Sequence, residues 1–404
     1  MIWFVTSAGS TRRAFLLSQL LNAPFWGLYG LLAVILYKDL HASPFELALF
    51  IALKPAVSLV SLYWSAPVHQ RPDRLRSNLI WGGLLARLPF FFIPLVQTSW
   101  FMIAAAALYL MLNRAIVPAW MEIFRRNMPS AGRSLAMAHG STISHLGGLL
   151  VPILMAPWLD LQPGAWRWLL PVLALISSFG LLFQLRLPVS GVEAPTAPPQ
   201  RVGLIQPWRD AWGLLRRRPD FSQYQLGFFL GGGGLMLLQP ALPLVFVDWL
   251  ALSYTELALA IAACKGIGFA LTSSLWGRWL PTSRYFKPVA LVTLLASLFP
   301  LMLLGAHLHT AWVYIAYLGY GVMQAGSELY WHLTGPIFSE SEDSTPYSSV
   351  NVAAVGLRGA ILPLLGSLIV TTYGCTTALL LGTLLCLMAT AALLRRPYKQ
   401  PAPI

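Results

Sequence analysis

Charge is scarce in this chain. Only 10% of its 404 residues are Asp, Glu, Lys or Arg, against 57% that are hydrophobic, and the mean hydropathy is +0.66. A soluble domain carries about 25% charged residues, so the composition excludes an ordinary globular protein and implies an integral membrane protein. Acidic residues are the scarcest: 14 against 27 basic ones, for a net charge of +13. Cysteine occurs only as Cys264, Cys375 and Cys386. None has a metal-ligand spacing, so neither a disulfide framework nor a metal site is implied. The run Gly231–Gly234 lacks the Lys-Ser/Thr that would make it a phosphate loop. In an apolar stretch it reads as a flexible or close-packing point. No residue set indicates catalysis, and no cofactor is implied.

Long apolar runs are what the chain has in plenty. Runs of about 20 residues, enough to cross a bilayer, fall at roughly 14–37, 44–66, 78–97, 99–121, 134–157 and 166–187, and again at roughly 222–247, 254–277, 287–306, 310–333, 346–371 and 374–394. The pattern predicts an all-α membrane protein with twelve transmembrane helices in two six-helix halves. The N-terminal half is 1–187, the linker 188–220 and the C-terminal half 221–404. Arg12 and Arg13 precede the first run and no small-residue cleavage site follows it, so it reads as a retained span rather than a signal peptide. In the linker, Trp208, Trp212 and Leu215 are spaced i, i+4, i+7 beside Arg216–Arg218. That spacing suits a short interfacial helix with its arginines at the headgroups; an ordinary solvated linker fits equally.

Lysine and arginine set the orientation. With the N-terminus inside, cytoplasmic segments carry 20 of them, external segments carry only Lys38 and Arg167, and Lys54, Arg87, Arg114, Lys265 and Arg358 lie within spans. This is a strong positive-inside signal with both termini cytoplasmic. It accounts for the basic charge as topology and leaves no need for nucleic acid.

The two halves echo each other. At an offset of 210, Ser43-x-x-Glu46-Leu47-Ala48-Leu49 recurs as Ser253-x-x-Glu256-Leu257-Ala258-Leu259, with Ile51 and Ala52 recurring as Ile261 and Ala262. Each Ser-x-x-Glu is a capping box for a helix start, and Pro44 suits the first helical position. At an offset of 211, Lys54 meets Lys265, Tyr109 meets Tyr320, Trp120 meets Trp331, Gly148 meets Gly359 and Pro152 meets Pro363. The halves are therefore parallel repeats.

Six plus six spans, a basic cytoplasmic linker and cytoplasmic termini resemble the major facilitator superfamily over almost the whole chain. Its sequence motifs are worn here. The loop after span two runs from Ser65 to Arg74 with His69 where the family has an aspartate. Its echo after span eight keeps Gly277 and Arg284 but has Pro281 at the acidic place. Arg114 matches the span-four arginine, with Val117 and Pro118 at the following motif places, and Gly140, Gly147 and Gly148 hint at the glycine-rich span-five motif. The resemblance implies a substrate site at the midplane between the halves, and alternating access by rocking.

A charge at the bilayer centre costs at least about 2.5 kcal/mol, so each intramembrane polar residue needs a reason. Lys54 and Lys265 sit at matching midplane depth on spans that, by the resemblance, border the central cavity. Each either contacts substrate or binds carbonyls of a neighbouring helix. Arg358, between Gly356 and Gly359, reads as a cavity residue, and Arg87 as a structural pairing. Asn22, Gln239, Gln324 and Asn351 either line the path or join adjacent helices. Arg114 and Glu328 lie at nearly equivalent repeat positions. Glu328 is a candidate carrier of a coupling proton, or the partner of an intramembrane arginine in a permanent ion pair. His139, His145 and His332 are weaker candidates for a proton relay. Trp158, Trp166 and Trp249 near outer ends, and Trp64, Trp276 and Trp331 near inner ends, read as belt anchors.

The expected function is secondary transport of a small solute, an organic acid or a phosphorylated metabolite, by a monomer in a bacterial inner membrane. A proton or an exchanged solute would be the coupling partner, because no nucleotide-binding motif is present. Proton-coupled efflux of drug-like or siderophore-like compounds is the alternative within that class. Outside it stand a transporter-fold sensor and a membrane-embedded lipid-modifying enzyme; scattered interfacial acids weigh against the enzyme. The topology has a direct check. A reporter fused after Ile404 is expected to be active in the cytoplasm and one inserted at Gln162 outside; finding both on one side would refute the twelve-span scheme.

Overall fold

The computed structural model describes residues 7–70, 74–188, 205–279, 286–339 and 345–395. Asp73, most of the linker, Pro281, Arg284, Glu340, Glu342, Asp343 and Lys399 lie outside the described residues. So do the side chains of His69, His145 and His332. Every regular element among the described residues is a helix, and helix overlies each apolar run. Hydrocarbon offers backbone groups no water, so a spanning segment must satisfy them internally.

The first part of the chain forms α1 (Ser7–Tyr29), α2 (Leu32–Lys38), α3 (Pro44–Gln70), α4 (Leu75–Arg87), α5 (Ser99–Asn127), α6 (Ser130–Leu161) and α7 (Trp166–Gln184). The remainder forms α8 (Gln206–Arg217), α9 (Pro219–Leu238), α10 (Ala241–Leu244), α11 (Tyr254–Ala258), α12 (Lys265–Trp279), α13 (Phe286–Gly305), α14 (Ala311–Ser339) and α15 (Thr345–Leu394). Among the described residues, seven helical stretches are individually long and apolar enough to cross a membrane, and α9 with the segment Ala241–Trp249 makes an eighth, bent by 41°. Pro240 stands at that bend and has no N–H to continue the ladder. The α15 stretch is turned at Gly374, whose φ of 83° a side chain would resist.

The chain divides into two compact units, Met1–Ala42 with Val60–Val202, and Ser43–Leu59 with Gly203–Ile404. In the first, α1 lies against α6 and α7 along a seam of small residues. Gly147 faces Ala23, Gly140 faces Phe15, and Gly180 faces Ser18, whose hydroxyl donates to the Gly180 carbonyl at 3.1 Å. Phe15, Trp120 and Phe124 pack edge to face below this seam. In the second unit, α15 lies against α9 and α13, and α12 against α14. Gly356 and Gly359 leave room for Leu59 and Pro55, which seats the middle of α3 on α15. The Gly231–Gly234 run proves to be a packing surface: its members face Thr293, Arg358, Leu362 and the Gly382 carbonyl in turn.

Both capping boxes form. The Glu46 carboxylate accepts from the Ser43 N–H at 2.8 Å, and the Glu46 N–H donates to Ser43 Oγ at 3.3 Å. Ser253 and Glu256 repeat this at 2.8 and 3.1 Å. From these matching starts the two helices diverge. The helix begun at Pro44 runs as regular α-helix past Lys54, whereas Leu259–Cys264 is π-helical and Lys265 opens regular helix again. The π-turn explains why the repeat offset changes from 210 to 211 between Ala262 and Lys265. One extra residue is held in a widened turn, and the helix on either side keeps its register.

Two belt expectations fail. Trp166 is fully buried, and Trp276 is buried with its indole N–H donating to the Val322 carbonyl of α14 at 2.9 Å. Trp276 found a helix neighbour, which apolar ends alone do not reveal. The linker helix is present as α8, but its buried residue is Leu214, while Trp208 and Trp212 point outward.

The π-turn makes a deletion test possible. Removing Ala263 should close it to ordinary α-helix and leave both flanks in place. The deletion is expected to keep the thermal midpoint in detergent within a few degrees. Deleting Leu53 from the regular helix should instead rotate one flank by about 100° and abolish folded protein. Equal damage from both deletions would refute the insertion.

Candidate functional site

A charged cluster forms inside the second unit where α12 packs on α14, with Lys54 of α3 near enough for its charge to act on it. Close contact between α12 and α14 sets it up. Gly321 faces the Lys265 carbonyl and Gly268 faces the Leu318 carbonyl, positions that any Cβ would foul. This fixes Lys265 at the level of Gly321. Gln324 follows one turn on and Glu328 one turn further, on the same helix face. The Gln324 amide donates to the Glu328 carboxylate at 2.8 Å. Lys265 feels the opposite charge of Glu328 and the like charge of Lys54, and Glu328 also acts on Tyr320. Lys54 is exposed, while Lys265, Gln324 and Glu328 are half-buried. The cluster therefore combines two lysines, one carboxylate and an amide that orients it.

Within this unit the cation whose charge acts with Glu328 is Lys265. Arg114 is exposed on α5. The i, i+4 spacing of Gln324 and Glu328 was a readable signal of their bond.

Arg87 has the structural role expected of it, with neutral partners. Its guanidinium donates to Ser177 Oγ at 2.7 Å, the Gly83 carbonyl at 2.6 Å and Asn22 Oδ1 at 3.0 Å. Asn22 Oδ1 also accepts from the Ser177 and Tyr109 hydroxyls. Asn22 thus ties α1 to α4, α5 and α7, which removes its acceptor from any substrate. Sequence reasoning missed Ser177, because a serine in an apolar helix gives no sign of its partner.

Arg358 does not have the expected cavity placement. It is 6% exposed, its guanidinium lies 4.6 Å from the Phe228 ring centroid, and it donates to the Phe228 carbonyl. Gly232 leaves the space it fills. The flanking glycines serve α3, so the arginine between them turns the other way, into α9. Asn351 is likewise buried, accepting from Gln225 and donating to the Trp331 carbonyl, each at 3.3 Å. It joins helices instead of lining a path. Gln239 sits half-buried at the bend that ends α9. Among the described residues no group of His, Cys, Asp or Glu has metal-site geometry.

A nearly all-helical chain with many membrane-length helices and an internal charged cluster is the class of a polytopic membrane transporter. Residues 15–332 match the Major Facilitator Superfamily profile, and the chain belongs to that family. Solved structures of similar fold include a POT family transporter in complex with 5-aminolevulinic acid, with TM-score 0.72, 15% identity and 94% of each chain covered. The nucleoside transporter NupG gives TM-score 0.70 and 13% identity over 95% of this chain and 98% of that one. A bacterial homolog of the human lysosomal transporter Spinster, inward-facing and unoccupied, gives TM-score 0.62 and 14% identity over 98% and 99%. No curated protein sequence matches the chain.

The Arg358 packing is testable apart from transport. Gly232→Ala places a methyl group in the guanidinium's space and is expected to cost about 1–3 kcal/mol through overpacking. On an Arg358→Ala background the same change should be tolerated. Additive losses of unfolding midpoint in the double variant would show that the two positions do not meet.

Proposed function

We propose that the chain is a secondary transporter that moves a small solute with a carboxylate or phosphate group by alternating access. Six spans in each half, both termini in the cytoplasm and a bacterial inner membrane complete this reading. Lys54 and Lys265 bind the anionic group, Gln324 orients Glu328, and Glu328 carries the coupling proton. The supporting observation is the cluster itself: the half-buried Lys265 lies in the fields of both Lys54 and Glu328, where a buried cation is poorly solvated. A bound anion offsets that poor solvation. Arg358 drops out of the binding set because Phe228 and Gly232 enclose it. The POT family structure with 5-aminolevulinic acid supports a solute carrying a carboxylate. Arg114 and Gln239 remain proposed gating and path residues.

Solute counterflow in proteoliposomes against a panel of organic acids and phosphorylated metabolites tests the reading. Lys265→Gln is expected to weaken the apparent affinity for the anionic solute about tenfold or more, since a charge-assisted bond contributes about 1.5–3 kcal/mol. Normal transport by that variant, or a cationic native solute, would refute the binding role.

Glu328→Gln separates binding from coupling. It should abolish accumulation driven by a proton gradient while sparing exchange of solute for solute. Gradient-driven uptake or efflux that survives this change would make Glu328 a structural partner of Lys265.

A further inference from the structure

The geometry points to an anionic phospholipid site at the junction of α8 and α9, apart from the proposed transport site. A cavity of about 340 Å³ opens there, lined by Trp212, Leu215, Arg216, Pro219 and Ser222. The Arg216 guanidinium lies over the Trp212 ring, 5.1 Å from its centroid. A guanidinium held there by the ring can still fork its N–H groups onto a phosphate.

The local charges leave this arginine unneutralised. Arg218 is committed to Asp220 through two bonds, at 3.0 and 3.1 Å, and to the Tyr347 hydroxyl at 3.0 Å. The one acid of α8, Asp210, accepts from Gln206 at 2.8 Å. Arg216 and Arg217 are exposed and form no ion pair among the described residues.

The apolar surroundings choose a lipid over a soluble anion. Leu214 anchors α8 in the core, which leaves the opposite face to carry Ile205 at 77%, Trp212 at 59% and Trp208 at 38% exposure. Exposed tryptophans beside arginines suit the headgroup boundary, where indole is apolar on its faces and polar at its N–H. This rests on the proposed topology, which puts α8 on the cytoplasmic side, where the leaflet is anionic and arginines are attracted to it. The phosphodiester occupies the cavity at Arg216 and Ser222, and the acyl chains run past Trp212 and Leu215.

Native mass spectrometry of the full-length protein in detergent tests this, with phosphatidylglycerol and phosphatidylcholine of identical chains as probes. The wild type is expected to bind phosphatidylglycerol preferentially. Arg216→Ala should reduce that preference about fivefold, the factor one arginine contributes near an anionic surface. Arg216→Gln, closer in length, guards against a folding defect and should behave alike. Glycerol 3-phosphate at millimolar concentration should not displace the lipid. Absence of a headgroup preference in the wild type, an unchanged preference in both variants, or displacement by glycerol 3-phosphate would each overturn the proposal.

Discussion

The cost of holding a charge among apolar helices governs how this chain is built. Each cation within the predicted spans is handled differently. Arg87 is surrounded by neutral oxygens from Asn22, Ser177 and Gly83. Arg358 is spread over the Phe228 ring and bonds to that residue's carbonyl. Neither uses a carboxylate, so neither depends on a second buried charge. Lys265 is the exception, because it shares its surroundings with Glu328 and Lys54. A stable core does not require such a cluster, since neutral acceptors suffice elsewhere. That contrast sets the lysine–glutamate cluster apart within the second unit.

Close helix packing makes these arrangements possible. Apolar helices gain little hydrophobic drive from meeting one another in lipid, so contact depends on small residues and hydrogen bonds. Gly147 on Ala23, Gly180 on Ser18 and Gly321 on Lys265 are such contacts. The same small residues set depth. Gly321 and Gly268 hold α12 against α14 at one register, which places Lys265 within reach of Glu328. Gly232 performs the same service for Arg358.

The repeat is instructive where it breaks. Matching capping boxes start the two helices, but only the second inserts a π-turn before its lysine. The insertion leaves both flanks in register while allowing the segments before and after it to pack differently. Two equivalent lysines can therefore sit in unequal settings, Lys54 exposed and Lys265 half-buried, within one family fold.

Much of the fold was legible in the amino-acid order. Apolar length, the positive-inside bias, the capping boxes and the offset repeat are local or periodic signals. They determined a helical polytopic membrane protein of a recognisable family and where its helices begin. The change of offset even marked the π-turn. The site was legible only in part: Lys54, Lys265, Gln324 and Glu328 stood out as polar residues in apolar runs. Which of the polar residues meet one another was decided by tertiary structure alone. Arg358 and Lys265 look alike in sequence, yet one lies against a phenyl ring and the other in the field of a carboxylate and a second lysine. A side chain's partner depends on the rotation and depth of neighbouring helices. Those are set by glycine contacts between residues far apart in the chain, such as Gly232 with Arg358 and Gly321 with Lys265.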